Sequence, residues 1–284
     1  MCCRYILVNT IEQIENRFGL PKQNIILAPN YNISTGMLAA VITCIKPKEV
    51  QYLVFGMTPF HAKKEMHLIN ARSEGESNRS DNPDFKGAKG IIQDKDFRKP
   101  IRSQRCLVLA SAFVKGAQNE VYSKPFLFYM RKHKNPFAIA GIWDQWLNTA
   151  NGETLNSFSI ITTSANSLIQ QAGFRRMPVI LSDTEEKKWL HPETGLSQIT
   201  HMLNQFDSKL MNAYPVDQRI KNVDENDKQL IKPIGERILK EEETTVFRHQ
   251  SSQGYHHAAK SRLADEKKIT LAERNEQSKI FGNV

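Results

Sequence analysis

Short apolar runs punctuate this chain, and they constrain its fold more than any other feature. Residues 5–8, 39–45, 50–55, 106–114, 125–130, 137–143, 158–163 and 177–181 are dominated by Val, Ile, Leu, Phe and Ala. Most are bounded by Gly, Pro, Asn, Lys or Ser, the punctuation of strands rather than of long helices. No run approaches the ~20 apolar residues that a membrane helix needs. The helical signals are sparse by comparison. At 10–18, Thr10 caps the start, Gln13 completes a capping box, and Gly19-Leu20-Pro21 stops the helix. Further short helices are expected at 166–171, 184–190 and 198–211, and a last strand at 216–223. Many short strands with few helices predict an α+β, β-rich fold, not a doubly wound sheet. The runs at 125–130 and 137–143 read as a hairpin around Lys132-His133-Lys134-Asn135. Residues 75–100, rich in Gly, Asn, Asp and Lys, read as a mobile surface loop with little core.

From about 238 the composition turns polar, so the expected division is a folded body at 1–237 and a polar extension at 238–284. His256-His257 lies in that extension and reads as incidental. The formal charge is +9, whereas residues 241–284 hold seven Lys/Arg and seven Asp/Glu. The excess therefore sits in the body, and a basic body favours a polyanionic partner, nucleic acid first. The start lacks the apolar run of a signal peptide, which suggests a cytoplasmic protein, nucleoid-associated in a bacterium. The cysteines Cys2, Cys3, Cys44 and Cys106 give neither a disulfide framework nor a zinc-type spacing. Cys106, inside an apolar run, reads as core. Nothing in the sequence calls for a metal or an organic cofactor.

The residues that carry chemistry begin at the N-terminus. Removal of Met1 would leave Cys2 with a free α-amine beside its thiol. With pKa values of about 8 and about 8.5, both remain partly reactive at neutral pH. Together they can capture an aldehyde, the amine as a Schiff base and the thiol by closing a thiazolidine. The alternative is an ordinary residue at a frayed terminus. In Asn70-Ala71-Arg72-Ser73-Glu74, amide, guanidinium and carboxylate alternate, so an extended chain puts them on one face. That face is either a site or a solvated edge. Arg98, Lys99, Arg102 and Arg105 gather basic charge beside Phe97, as a phosphate-contacting patch or a solvated charge run.

Several of these segments, taken in order, resemble the SOS-response-associated peptidase (SRAP) family. Met1-Cys2-Cys3-Arg4 is similar to the family start Met-Cys-Gly-Arg. Phe55-Gly56-Met57-Thr58-Pro59 resembles its Trp-Gly-Leu-Ile-Pro, and Asn70-Ala71-Arg72-Ser73-Glu74 its Asn-Ala-Arg-x-Glu. Arg105-Cys106-Leu107-Val108-Leu109-Ala110, Thr162-Thr163-Ser164-Ala165-Asn166, Arg176-Met177-Pro178-Val179-Ile180-Leu181 and Tyr214-Pro215-Val216 follow in family order.

The resemblance implies a distorted, barrel-like β core with surrounding helices and a basic groove for single-stranded DNA carrying abasic sites. It implies that Cys2 forms the thiazolidine crosslink with the opened sugar and that Asn70 helps to hold Cys2 or the sugar. Arg72 is then a phosphate contact, Arg4, Arg98, Arg102, Arg105 and Arg176 further DNA contacts, and Phe55 an aromatic support for a base or strand end. Autocatalytic loss of Met1 would account for the peptidase label, and a lyase-like activity is open. Two positions depart from the pattern. Lys115 stands where the family has an acid–base Glu, and Phe174 where it has a His. Glu can shuttle a proton and Phe cannot; Glu74 or Glu120 are the substitute carboxylates to consider. The alternative to crosslinking is a catalytically degenerate protein that binds single-stranded or damaged DNA, and a weaker third reading is a scaffold that uses the polar tail. No protein partner is implied.

Overall fold

A computed structural model describes residues 4–116, 124–131 and 135–240. In chain order its strands are β1 (Arg4–Leu7), β2 (Asn30–Ser34), β3 (Leu38–Thr43), β4 (Gln51–Phe55), β5 (Asn70–Arg72), β6 (Arg105–Ala110), β7 (Ala112–Lys115), β8 (Phe126–Met130), β9 (Phe137–Leu147), β10 (Thr154–Ser164), β11 (Arg176–Pro178), β12 (Ile180–Leu181) and β13 (Met211–Pro215). The helices are α1 (Ile11–Phe18), α2 (Pro100–Ser103), α3 (Ser167–Gln171), α4 (Asp183–Leu190) and α5 (Leu196–His201).

Strands β4, β3, β6, β9 and β10 follow one another by pairing, and β10 returns to β4, so this ring closes as a barrel. Closure removes exposed edges from the core sheet. The closing seam is parallel and short, with Ser157 opposite Val54 and Phe158 opposite Phe55. A second sheet runs β13-β8-β7-β1-β2. The two meet through the single apolar run at 106–114, which breaks at Ser111 into β6 in the barrel and β7 in the second sheet. Ser111 donates its N–H to the Ile6 carbonyl at 2.7 Å and its hydroxyl to Asn9 at 2.7 Å, which fixes the crossover. The fold is thus α+β with a barrel core and surrounding helices, as the sequence led us to expect.

Local signals hold where they depend on near neighbours. α1 has Thr10 as N-cap, the capping box with Gln13, and Gly19 at φ 64 beyond its end. Asn166 caps α3 by accepting from the Ile169 N–H. Pairings between distant segments differ from what the sequence suggests. The runs at β8 and β9 do not form a hairpin: β8 pairs with β7 and β13, while β9 pairs with β6, β10 and β12. Apolar periodicity alone does not name a strand's partner. The helix expected at 198–211 is only α5 followed by a short turn, and the strand expected at 216–223 is a 3-10 turn capped by Asp217. The final strand, β13, lies just before that point and pairs with β8.

The loop at 75–100 is no coreless segment. Ile91 and Phe97 are buried in the main core. Its two strands of chain touch at Gly75 and Gly90: a Cβ at Gly90 would lie 2.6 Å from the Glu74 carbonyl oxygen, and Gly75 has φ 54. Side chains are excluded on both counts. The chain remains tied to β13 as far as Leu239: the Ile238 N–H donates to the Ala213 carbonyl, and Asn212 bonds both backbone groups of Leu239. No helix among the described residues is long and apolar enough to cross a membrane.

Candidate nucleic-acid interface

β10 is the scaffold of the site. β5 lies parallel to it, with Asn70 opposite Ile160 and Arg72 opposite Thr162, and β11 lies antiparallel, with Arg176 opposite Ser164. The structure thereby brings Asn70, Arg72, Glu74 and Arg176 to one region, although they are spread over more than a hundred positions in sequence. The extended Asn70–Glu74 face is shorter than its alternation suggests. β5 ends at Arg72, and Glu74 has turned into helical backbone at φ −80, ψ −9.

Asn70 stands apart chemically. Both polar atoms of its side chain are buried, and neither has a hydrogen-bond partner among the described residues. An unpaired buried amide costs on the order of 1–3 kcal/mol, so this site favours a polar guest. The hydroxyl of Tyr5, from β1, is likewise buried without a partner.

Glu74 is fully committed. Its Oε1 accepts from the Thr163 hydroxyl at 3.0 Å and from the Ser164 N–H at 2.9 Å, and its Oε2 pairs with Arg176 at 2.9 Å. Burial pushes its carboxyl up, but the Arg176 guanidinium and these hydrogen bonds outweigh burial and leave it below the usual carboxylate range. Glu74 is therefore an ionised structural partner, not a substitute acid. Arg176 also donates to the Thr162 carbonyl at 2.8 Å and pairs with Asp81 at 3.1 Å. Arg72 pairs with the same Asp81 oxygen at 2.8 Å and donates to the Asn78 carbonyl. Asp81, at φ 58, thus joins the two arginines. It lies inside the 75–100 segment that the sequence suggests is a mobile surface loop; the available signal was an Asp followed by Asn-Pro, since Asp tolerates that backbone.

Two expected DNA contacts lie in the interior. Phe55 is wholly buried, edge-on to Tyr5 at 5.5 Å and stacked on Phe158 at 5.2 Å, so it supports the barrel seam and not a base. Arg105 is also wholly buried and donates to the carbonyls of Trp189 at 2.7 Å and His191 at 2.8 Å, tying α4 to the barrel. Arg98 and Arg102 are exposed, Arg72 is partly exposed, and Arg176 is buried. Arg4 is half-buried, donating to Asn32 at 3.3 Å and to the Lys221 carbonyl. Met1, Cys2 and Cys3, and Glu120, lie outside the described residues. So do Lys132-His133-Lys134 and the extension after Lys240.

The described chain begins at Arg4, which sits opposite Val114 on β7. The next residue on β7, Lys115, is buried, and its Nζ lies 5.4 Å from the centre of the Phe174 ring. Phe174 meets Phe126 and Phe128 edge-on at 6.4 and 6.1 Å, and Phe128 stacks on Phe113 at 5.1 Å. Lys115 and Phe174 therefore meet inside an aromatic cluster. Among the described residues, no group of three or more His, Cys, Asp or Glu side chains is arranged to hold a metal.

A family model described as SOS response associated peptidase (SRAP) matches residues 1–223. The chain belongs to this family. Its relatives include the abasic site processing protein YoqW of Bacillus subtilis (strain 168), 31% identical over 240 residues, which covers 81% of this chain and 99% of YoqW. The abasic site processing protein YoaM of the same organism is 28% identical, covering 81% of this chain and 97% of its own. Among solved structures, a protein from Bacteroides thetaiotaomicron superposes with a TM-score of 0.69 at 28% identity, covering 82% of this chain and 99% of that one. A Bordetella bronchiseptica protein at 23% identity shares the fold with a TM-score of 0.59, covering 76% of this chain and 100% of its own. SRAP membership links the chain to the abasic-site-processing proteins.

Proposed function

We propose that this SRAP protein captures abasic sites in single-stranded DNA through Cys2 after loss of Met1. The Cys2 amine attacks the C1′ aldehyde of the opened sugar and expels its oxygen as water, leaving an imine. The Cys2 thiol then adds to that carbon, its proton passing to the nitrogen, and the five-membered thiazolidine closes. The observation that carries this reading is the buried, unpartnered amide of Asn70 on β5, ready to bond the opened sugar or the Cys2 backbone. The bond would shield the lesion from cleavage, and removal of Met1 would be an intramolecular cleavage.

A second reading is favoured by one observation. Lys115 and Phe174, which the sequence resemblance sets against the family's Glu and His, pack on each other, which supports a protein that binds such DNA without crosslinking. The test is to incubate mature protein with single-stranded DNA holding one abasic site and to look for a species that survives denaturation. Its absence with wild type sinks the crosslink and leaves the second reading. Its persistence in Cys2→Ala sinks the assigned nucleophile. Intact mass reports whether Met1 is gone.

A further inference from the structure

We infer that Asp81 is an internal stand-in for a DNA phosphate: its carboxylate occupies the guanidinium of Arg72 until a single strand brings a phosphate to displace it. Asp81 thereby sets how strongly the protein grips DNA. The inference rests on the single-stranded DNA reading and adds to it a residue that tunes the affinity.

Four charged side chains run from the interior outward. Glu74, 1% exposed, pairs with Arg176, 8% exposed. Arg176 pairs in turn with Asp81, 16% exposed, and Asp81 with Arg72, 33% exposed. The inner pair is closed by the hydrogen bonds of Thr163 and Ser164 to Glu74 and belongs to the fold. At the outer end a single Asp81 oxygen lies 2.8 Å from Arg72 and 3.1 Å from Arg176. Two guanidiniums gathered on one oxygen are what a bound phosphate oxygen would meet. Arg176 already has Glu74, so Asp81 chiefly cancels the charge of Arg72, the end of the series that solvent reaches. Arg72 has no other carboxylate partner among the described residues. A guanidinium neutralised from within contributes little to the electrostatic attraction of a strand.

The carboxylate is presented on a fixed turn. The buried Asn78 side chain accepts from the Asn82 N–H at 2.9 Å and donates to the Asn82 carbonyl at 3.0 Å, and the Asp81 N–H donates to the Asn78 carbonyl at 3.1 Å. Gln205 donates to the Pro83 carbonyl at 2.8 Å and to the Ser164 hydroxyl at 3.1 Å, which ties the turn to the end of β10. Asp81 is the one non-glycine residue at positive φ among the described residues. Asn or Gly would meet that backbone requirement without a charge. What the carboxylate adds is a counter-charge for arginine. The exchange asks nothing of the strand: Arg72 stays on β5 opposite Thr162, and its side chain turns from Asp81 to the phosphate.

The test uses the Cys2→Ala protein, so that affinity is read without crosslinking, and a labelled single-stranded oligonucleotide with one stable abasic analogue. Fluorescence anisotropy over a salt series gives the affinity and its slope against salt. Asp81→Asn keeps the shape and the backbone tolerance of the residue and removes its charge. It is expected to bind about fivefold tighter at 0.1 M salt and to steepen the slope by about 0.7, the value of one added phosphate contact on a single strand. Asp81→Gly is expected to do the same. With Arg72→Gln in place, Asp81→Asn is expected to gain nothing, because no guanidinium is left to release. If the Asp81 variants fold but bind no tighter than their parent, or if the gain persists without Arg72, the stand-in is wrong and the DNA reading remains. Failure of both Asp81 variants to fold would make Asp81 a brace of the structure and overturn the inference equally. If neither the parent nor any variant binds the oligonucleotide, the inference and the DNA reading fall together.

Discussion

Lys115 on β7 and Phe174 ahead of β11 meet, with Nζ 5.4 Å from the ring centre; the sequence resemblance described above sets these two residues against an acid–base Glu and a His. A cation and an aryl ring stabilise each other, whereas a cation and an imidazolium at this distance would repel. The two side chains are therefore coupled, and they are best exchanged together.

The double variant Lys115→Glu/Phe174→His is accordingly expected to crosslink abasic DNA faster than wild type, by about tenfold or more. Positioned acid–base groups contribute roughly 10²–10⁴. Each single variant is expected to gain less than the pair. Rates of adduct formation on denaturing gels check this; a double variant no faster than wild type removes the link between this pair and proton transfer.

Asn70 should separate stability from function. Its amide is buried without a partner, so Asn70→Leu is expected to leave thermal stability unchanged or raise it by about 1 kcal/mol. The same change is expected to cut the crosslinking rate at least tenfold. Thermal melts beside adduct kinetics read the two effects; a variant that loses stability but crosslinks normally would assign Asn70 to the fold.

Glu74 sets a pH dependence. Its folded carboxyl is depressed, so its contribution is complete above the ordinary carboxylate range near pH 4–5 and is lost as pH falls below it. Glu74→Gln is expected to lose on the order of 3 kcal/mol at pH 7, because Arg176 keeps only Asp81 as a charged partner. It is also expected to show a shallower fall in stability between pH 5 and pH 3 than wild type, by about the same chemistry. Urea midpoints across that range decide it.

The arginines divide into two groups. Arg105→Ala is expected to destabilise the fold while leaving the salt dependence of DNA binding alone in whatever protein folds, since its guanidinium is spent on α4. Arg98→Gln/Arg102→Gln is expected to lower the slope of log affinity against log salt by about 1.4, near 0.7 per lost contact to a single strand, with a small loss of melting temperature because Arg102 also donates to the Ile92 and Arg98 carbonyls. An unchanged slope would take these two arginines off the interface.

What the sequence discloses follows from the range of each interaction. The Thr10–Gln13 cap and the Asn166 cap are legible because every participant lies within a few residues. The barrel is legible as a class because many short apolar runs need one another. The partners of β8 and β9 are not, since each run is buried on both faces and any buried strand would satisfy it. Phe55 and Arg105 mislead for a related reason: an aromatic near a motif and an Arg in a basic run look exposed until the packing of Phe158 and α4 is known. Asp81 escapes notice because its value depends on two arginines from different strands.

Strand β10 carries a consequence for how this protein can vary. Phe55, Asn70, Arg72 and Arg176 are all counted off against it, opposite Phe158, Ile160, Thr162 and Ser164. Alternate residues of a strand face opposite ways, so inserting or deleting one residue in β10 would invert every one of these alignments at once. Substitutions there are local events, but a change of length is not. Insertions and deletions among descendants of this sequence should therefore collect in the turn at 148–153, which leads into β10, and not within a strand whose residue count is held constant.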